Sequence, residues 1–177
     1  MNYTDLTLFP LIHTDATFSE DRVHRYDLRR IWDETLPTVL FIGLNPSTAT
    51  EIKNDPTIRR CMGYAKDWGY GGYIMGNIFA FRSTDPINLI KTKDPIGPEN
   101  DYWLKKLHDE AELTIGAWGN HGKFLNRGQA VLELIQDIQC LRITKQGFPS
   151  HPLYLPKSLK PIPYPYIMKK QEKGTRK

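Results

Sequence analysis

The sequence predicts an α/β fold, a three-layer sandwich around a central, mostly parallel sheet. Three observations predict it. Apolar runs rich in β-branched residues recur along the chain, amphipathic helical patterns separate them, and the connections are short. Because strands that alternate with helices pair in parallel through right-handed crossovers, we expect one sheet with helices on both faces.

The first predicted unit is a buried strand followed by a turn and a helix. Thr38–Leu44 is a continuous apolar run, which is typical of a strand covered on both faces. It ends in the turn-forming sequence Asn45-Pro46-Ser47. Asp55-Pro56-Thr57 then predicts a helix start, because Asp caps helices well and Pro is favoured at the first helical position.

Three further units continue the pattern. Their predicted strands are Tyr73–Phe81, Leu113–Trp118 and Cys140–Thr144. One helix begins after Gly97-Pro98-Glu99-Asn100, and apolar residues at helical spacing in 130–138 predict the next. The N-terminal runs Leu6–Ile12 and Tyr26–Trp32 are expected to add edge strands or a flap.

Length and composition favour a single compact domain. The chain has 177 residues, of which 40% are hydrophobic and 25% charged, so disorder, collagen and coiled coil are excluded. No apolar run reaches the roughly 18 residues that a membrane-spanning helix needs, and two cysteines make no disulfide framework. We therefore expect a cytoplasmic protein with no membrane contact.

Charge divides the chain into a domain, residues 1–156, and a basic C-terminal arm, residues 157–177. The arm has seven basic residues and one acidic residue, whereas residues 1–156 sum to −2. Its prolines predict an extended conformation. A basic arm either grips phosphates, with salt-dependent affinity, or only keeps the protein soluble, and charge alone does not decide between them.

Polar loops follow all four predicted strands of the parallel units. Ligands bind outside the carboxyl ends of parallel strands, so we expect these loops to converge on one edge of the sheet. They are Asn45-Pro46-Ser47, Asn77 with Arg82-Ser83-Thr84-Asp85, Gly119-Asn120-His121, and Ser150-His151-Pro152. The sequence has neither a phosphate-binding loop, nor a dinucleotide fingerprint, nor a run of metal ligands, which predicts a site without cofactor or metal.

Several side chains in these loops suit a nucleobase. Asn45 and Asn77 can donate and accept hydrogen bonds, as base recognition or the positioning of a water requires, although asparagine also caps turns. His151 can donate to a developing anion, although a lone histidine is more often structural. Phe79 could stack on a base or pack in the core. Arg59 and Arg60, near a helix N-terminus, could bind phosphate.

Most of the chain, residues 25–157, resembles a bacterial and phage family known only as domain of unknown function 1643. That resemblance implies no established reaction. The matching stretches include Arg25-Tyr26-x-Leu28-x-Arg30-x-Trp32, Leu44-Asn45-Pro46-Ser47-Thr48-Ala49, Asp55-Pro56-Thr57-x-Arg59-Arg60-Cys61, Asn77 to Pro86, Asp94 to Asn100, Ala117 to Gly122, and Thr144 to Tyr154.

A more remote resemblance concerns Phe41-Ile42-Gly43-Leu44-Asn45-Pro46, which is similar to the first motif of the uracil-DNA glycosylase superfamily. The resemblance implies a uracil-DNA-glycosylase-like fold in which Asn45 positions the attacking water, Asn77 with Arg82 reads the base, and His151 stabilises the departing base anion. Two departures stand out. The first motif lacks a carboxylate, and Leu153-Tyr154 replaces the serine that usually follows the histidine-proline pair.

The sequence therefore predicts a nucleobase- or nucleotide-processing enzyme, a hydrolase acting on an N-glycosidic bond of a modified or mismatched base in nucleic acid. The alternative is a binding module that recognises a nucleotide or modified base without cleavage, in a DNA-modification or phage-defence system. A third hypothesis, a hydrolase with Ser47 or Ser150 as nucleophile, is disfavoured because neither has nucleophile-elbow spacing.

The predicted site residues are Asn45 and His151 for catalysis, Asn77 and Phe79 for the base, Ser47, Arg59, Arg60 and Arg82 for phosphate, and Asp55, Thr57, Asn120 and His121 as further pocket residues.

Overall fold

The computed structural model describes residues 13–47 and 54–165, which form an α/β domain around one sheet. The sheet has seven strands in the order β1-β2-β4-β3-β5-β6-β7. In chain order they are β1 His13–Phe18, β2 Arg25–Ile31, β3 Thr38–Gly43, β4 Gly72–Asn77, β5 Leu113–Gly116, β6 Gln139–Cys140 and β7 Ile162–Pro163.

The sheet is mixed rather than mostly parallel. Its four central strands, β4, β3, β5 and β6, are parallel to one another. On one side β2 joins β4 in antiparallel pairing and β1 joins β2, and on the other side β7 is antiparallel to β6. The reason is that only the central strands are joined by helical crossovers, which parallel pairing requires. Strands β1 and β2 form a hairpin, whereas β7 reaches β6 after a long irregular segment, and the sequence pattern did not indicate either arrangement.

Helices cover both faces of the sheet. They are α1 Pro56–Asp67, α2 Asn88–Lys91, α3 Asn100–Glu110 and α4 Arg127–Leu134. In β3, Val39 and Phe41 pack with α1, whereas Leu40 and Ile42 pack with α3 and α4. Because successive strand residues point to opposite faces, one apolar strand supplies both cores. This arrangement gives the three layers that the sequence predicts.

Helix α1 begins as its sequence predicts. The Asp55 side chain accepts a hydrogen bond from the Ile58 amide at 2.8 Å, and Pro56 occupies the first helical position. Ile58, Cys61 and Met62 are buried against the sheet. The cap fixes the start of α1 beside the carboxyl ends of β3 and β4, where the polar loops lie.

Several predicted strands differ from the structure in position or extent. Tyr26–Trp32 corresponds to β2, which lies inside the sheet between β1 and β4 instead of at its edge. Tyr73–Phe81 and Leu113–Trp118 correspond to β4 and β5, which end earlier, at Asn77 and Gly116. Of the run Cys140–Thr144, only the first residue belongs to β6, because the chain then folds back and Ile143 bridges Pro149. Leu6–Ile12 lies outside the described residues.

The segment after β6 is fastened to α1 by side chains of that helix. The Tyr64 hydroxyl donates to the Pro156 carbonyl at 2.7 Å, and the Trp68 indole donates to Leu159 at 3.2 Å. Residues 157–165 of the basic arm, which include β7, therefore pack on the domain. Residues 166–177 lie outside the described part. Among the described helices, none has the length and apolarity to cross a membrane.

Candidate functional site

A cleft of about 470 Å³ opens at the carboxyl ends of β3 and β4, beside the start of α1. Gly43 and Asn77, which end β3 and β4, are neighbours across the parallel pairing. Both line the cleft together with the loops that follow β3, β4 and β5 and the loop around His151. The polar loops thus meet at one edge of the sheet, as expected from parallel strands.

Eight of the predicted site residues line this cleft. They are Asn45, Ser47, Asp55, Thr57, Asn77, Asn120, His121 and His151. The residues come from separate parts of the chain, which the central parallel strands bring together.

Asn77 is the most unusual side chain of the cleft. It is 1% exposed, yet neither its amide nitrogen nor its carbonyl oxygen has a hydrogen-bond partner within the described part of the chain. Gly43 leaves this amide open, because a Cβ there would lie 2.9 Å from Asn77 Oδ1. A buried amide without partners is destabilising, at about 1–3 kcal/mol. A ligand that completes its hydrogen bonds would remove that penalty.

A second buried asparagine holds the end of β4 in place. Asn100 Nδ2 donates to the backbone carbonyls of Asn77 and Ile78 at 3.0 and 3.1 Å. Arg127 Nε donates to the same Ile78 carbonyl at 2.7 Å, and Arg127 also forms an ion pair with Asp101. The backbone that carries Asn77 is therefore fixed from α3 and α4. No motif in the sequence indicated this role for Asn100 or Arg127.

Asn45 offers the cleft an acceptor. Its side-chain nitrogen donates to the Ser83 carbonyl at 2.8 Å and to the Pro46 carbonyl at 3.2 Å. Since these bonds occupy the amide nitrogen, the carbonyl oxygen is the part of the side chain that can receive a proton donor. That chemistry suits the orientation of a water molecule.

Asp55 supplies the cleft with a carboxylate, the group that is absent from the motif Phe41–Pro46. One oxygen caps α1, and the other accepts from the Ser47 hydroxyl at 3.1 Å. Asp55 is the one acidic residue among the described residues that line the cleft. Both of its oxygens are therefore held in place by hydrogen bonds.

His151 lies at the mouth of the cleft as a hydrogen-bond donor. Its Nδ1 accepts from the Leu153 amide at 3.3 Å. In the neutral imidazole the proton must then reside on Nε2, which leaves Nε2–H to donate. Although the residue is exposed, desolvation by neighbouring protein atoms lowers its pKa below 6.5, and the Asp55 carboxylate opposes this shift. At neutral pH the side chain is thus a neutral donor.

We expect the His151 imidazole to titrate with a midpoint below 6.5 in the folded protein. The unfolded chain then takes up the proton more readily, so protonation of His151 removes stability as the pH falls below that value. Titration of the imidazole signals by NMR tests this, with the His151→Gln protein identifying the resonance. A midpoint at or above that of an unstructured histidine would contradict the site geometry.

The loops after β5 and β6 are joined to each other at the cleft. Gly119 has a φ of 68°, a left-handed conformation that glycine adopts readily. Its amide donates to the Pro149 carbonyl at 2.8 Å. Asn120 Oδ1 accepts from the Thr144 hydroxyl at 2.7 Å, so part of its side chain is used within the protein. His121 and Thr57 line the cleft beside them.

Four predicted site residues do not line the cleft. Phe79 is fully buried and packs against Phe124 at 5.6 Å between ring centroids, which favours its role in the core. Arg82 lies over the Phe18 ring at 4.8 Å. Arg59 and Arg60 donate to the carbonyls of Asn54 and Leu153, respectively. The role of these three arginines toward phosphate stays a prediction.

Arg25 lines the cleft but was not among the site residues predicted from the sequence. This residue is 3% exposed. Burial lowers the pKa of its guanidinium, and the nearby Tyr73 acts in the opposite direction. Its place as the first residue of the stretch Arg25–Trp32, which resembles the family, was the available signal. Together with Asp55 it gives the cleft one buried cation and one carboxylate.

The fold and the cleft define a class of protein: a three-layer α/β domain with a polar cleft at the carboxyl edge of its parallel strands. In the comparison with family models, one described as "Protein of unknown function (DUF1643)" matches residues 25–153. The chain belongs to this family, and the match includes every residue that lines the cleft. No curated protein and no solved structure matched the chain significantly.

Proposed function

We propose that the cleft binds a nucleobase and that the protein hydrolyses the N-glycosidic bond of a modified or mismatched base in nucleic acid, on a uracil-DNA-glycosylase-like fold. The observation that carries the proposal is Asn77, a buried amide without protein partners in a cleft. A base edge presents adjacent donors and acceptors, which is the complement that one amide requires.

Apolar walls suit the faces of a base. Leu44, Met75 and Trp118 line the cleft between the polar groups. Ligand sites usually combine apolar surfaces of this kind with a few fixed polar groups that set orientation. A planar ring between these walls would present its edge to Asn77, and its other substituents would lie near the loops.

The reaction uses the remaining polar groups. Asn45 orients a water through its side-chain oxygen, and the Asp55 carboxylate favours the positive charge that develops on the sugar. The water oxygen bonds to the sugar carbon as the carbon–nitrogen bond breaks, the bonding electron pair leaves with the base, and the water's proton is released to solvent. His151 donates from Nε2 to the departing base anion.

The same geometry gives less support to a serine hydrolase. Ser150 is 9% exposed and does not line the cleft. Ser47 lines the cleft and donates to the Asp55 carboxylate at 3.1 Å. The sequence around Ser47 lacks the spacing of a nucleophile elbow, the turn that exposes a nucleophilic serine.

The experiment is a panel of base-modified and mismatched oligonucleotides, single- and double-stranded, assayed for abasic sites beside a binding titration. We expect at least one substrate to lose its base. Tight binding with every substrate intact would instead establish the alternative, a module that recognises a base without cleavage. If the panel shows no cleavage and no binding, the proposal is wrong.

A further inference from the structure

An exposed aromatic ring belongs to Tyr154, three residues after the cleft residue His151. Tyr154 ends a short 3-10 turn, Pro152–Tyr154, and is 89% exposed. Large aromatic side chains contribute most when they are buried or stacked, so a tyrosine this exposed is available to a partner. No described contact of the cleft uses it.

The turn beneath this ring is firmly held. Arg60 donates from Nε and Nη2 to the Leu153 carbonyl at 3.3 and 3.2 Å. On the other side, the Pro156 carbonyl accepts from Tyr64, and Pro152 and Leu155 are buried. The backbone on both sides of Tyr154 is therefore anchored to α1. A ring on such a support can bind a partner without the entropic penalty of ordering a loop.

The chain segments on either side of the ring are basic. Residues 138–165 contain four lysines and arginines and no acidic residue. Arg142, Lys145 and Lys157 are exposed. The Arg142 carbonyl accepts from the Ser150 amide at 2.8 Å, which holds Arg142 beside the His151 loop. A polyanion complements this charge.

We propose that Tyr154, with Arg142 and Lys157 beside it, is a stacking platform for a polynucleotide strand. The ring stacks on a base that neighbours the one in the cleft, and the cations contact the phosphates between them. Combining an aromatic surface with a positively charged path is the usual way in which proteins hold single strands. The proposal rests on the proposed function, because it takes the cleft to be occupied by a base of the same strand.

Tyr154 follows the cleft residue His151 by three residues. A strand whose base occupies the cleft can therefore offer a second base to the ring. Because stacking needs this second base, we expect the polymer to be a better ligand than a free nucleotide.

The test compares a labelled single-stranded oligonucleotide with the mononucleotide of the base that it carries. Tyr154→Ala is expected to weaken oligonucleotide binding about tenfold, since one base–aromatic stack has that scale, and to leave mononucleotide binding unchanged. Tyr154→Trp should retain the affinity. The matched control is Tyr102→Ala, because Tyr102 is 64% exposed but lies on α3. Arg142→Gln should flatten the salt dependence of oligonucleotide binding.

Each outcome has one consequence. Equal oligonucleotide affinity in the wild-type and Tyr154→Ala proteins would overturn the platform, as would an equal loss in the Tyr102→Ala protein. If the wild type binds a mononucleotide as tightly as the oligonucleotide, the platform is wrong but the proposed function stands. If it binds neither, both are wrong.

Discussion

Replacing Asn77 by leucine is expected to stabilise the unliganded protein and to abolish base recognition. The substitution removes two buried polar atoms that lack protein partners and keeps a side chain of similar size. We expect the free energy of unfolding to rise by about 1–3 kcal/mol. Base affinity should fall by about 1–3 kcal/mol or more, because the base edge loses its complement. Thermal unfolding and a binding titration measure the two effects.

The matched control is the other buried asparagine, Asn100. Its side-chain nitrogen satisfies two backbone carbonyls at the end of β4. Asn100→Leu should therefore lower the free energy of unfolding, by about 1–3 kcal/mol. The opposite signs separate an amide kept for a ligand from an amide kept for the fold. An Asn77→Leu protein that is as destabilised as Asn100→Leu would show that Asn77 is structural.

Replacing Asn45 or His151 by alanine is expected to lower turnover far more than affinity. The Asn45 oxygen acts on the attacking water, and His151 acts on charge that appears only as the base departs. Contacts that belong to the transition state change kcat rather than ground-state binding. The loss of one such donor or acceptor typically lowers the rate about 10²–10³-fold.

Single-turnover kinetics on the best substrate of the panel measure this difference, with binding followed separately. A suitable control is Ser150→Ala, because Ser150 adjoins His151 in sequence but does not line the cleft. Wild-type turnover in the Asn45→Ala protein would remove Asn45 from the mechanism. A fall in affinity equal to the fall in rate would support recognition without catalysis.

The central strands and the convergence of the polar loops could be predicted from the sequence because both follow from strong local patterns. The buried run that forms β3 and the Asp55-Pro56 helix start are of this kind, and each lies where the pattern indicated. Parallel strands then bring Asn45, Asn77 and His151 into one cleft. This part of the site needs only the order of the elements.

The rest depends on tertiary contacts that leave no local pattern. The position of β2 inside the sheet follows from its antiparallel pairing with β4, and an alternating run alone does not specify its partner. Phe79 could have faced the cleft or the core, and packing against Phe124 places it in the core. Arg25 is a charged residue that burial makes part of the cleft wall, which residue type alone does not predict.

Asp55 has two roles, and the sequence predicted both. Its role as the cap of α1 and its place in the pocket each follow the prediction. The sequence did not indicate the hydrogen bond that its second carboxylate oxygen accepts from Ser47. A residue's structural and chemical roles can coincide, because a carboxylate that caps a helix retains lone pairs for other partners.

The most direct test of the central claim is to follow the side-chain amide of Asn77 by NMR while the protein is titrated with free nucleobases and nucleosides. The Asn77→Leu spectrum assigns the signal. We expect at least one base to shift this amide resonance downfield in a saturable manner, as new hydrogen bonds form, and to leave the Asn100 amide unchanged. An Asn77 amide that no base perturbs, in a protein whose other cleft residues do respond, would contradict the central claim.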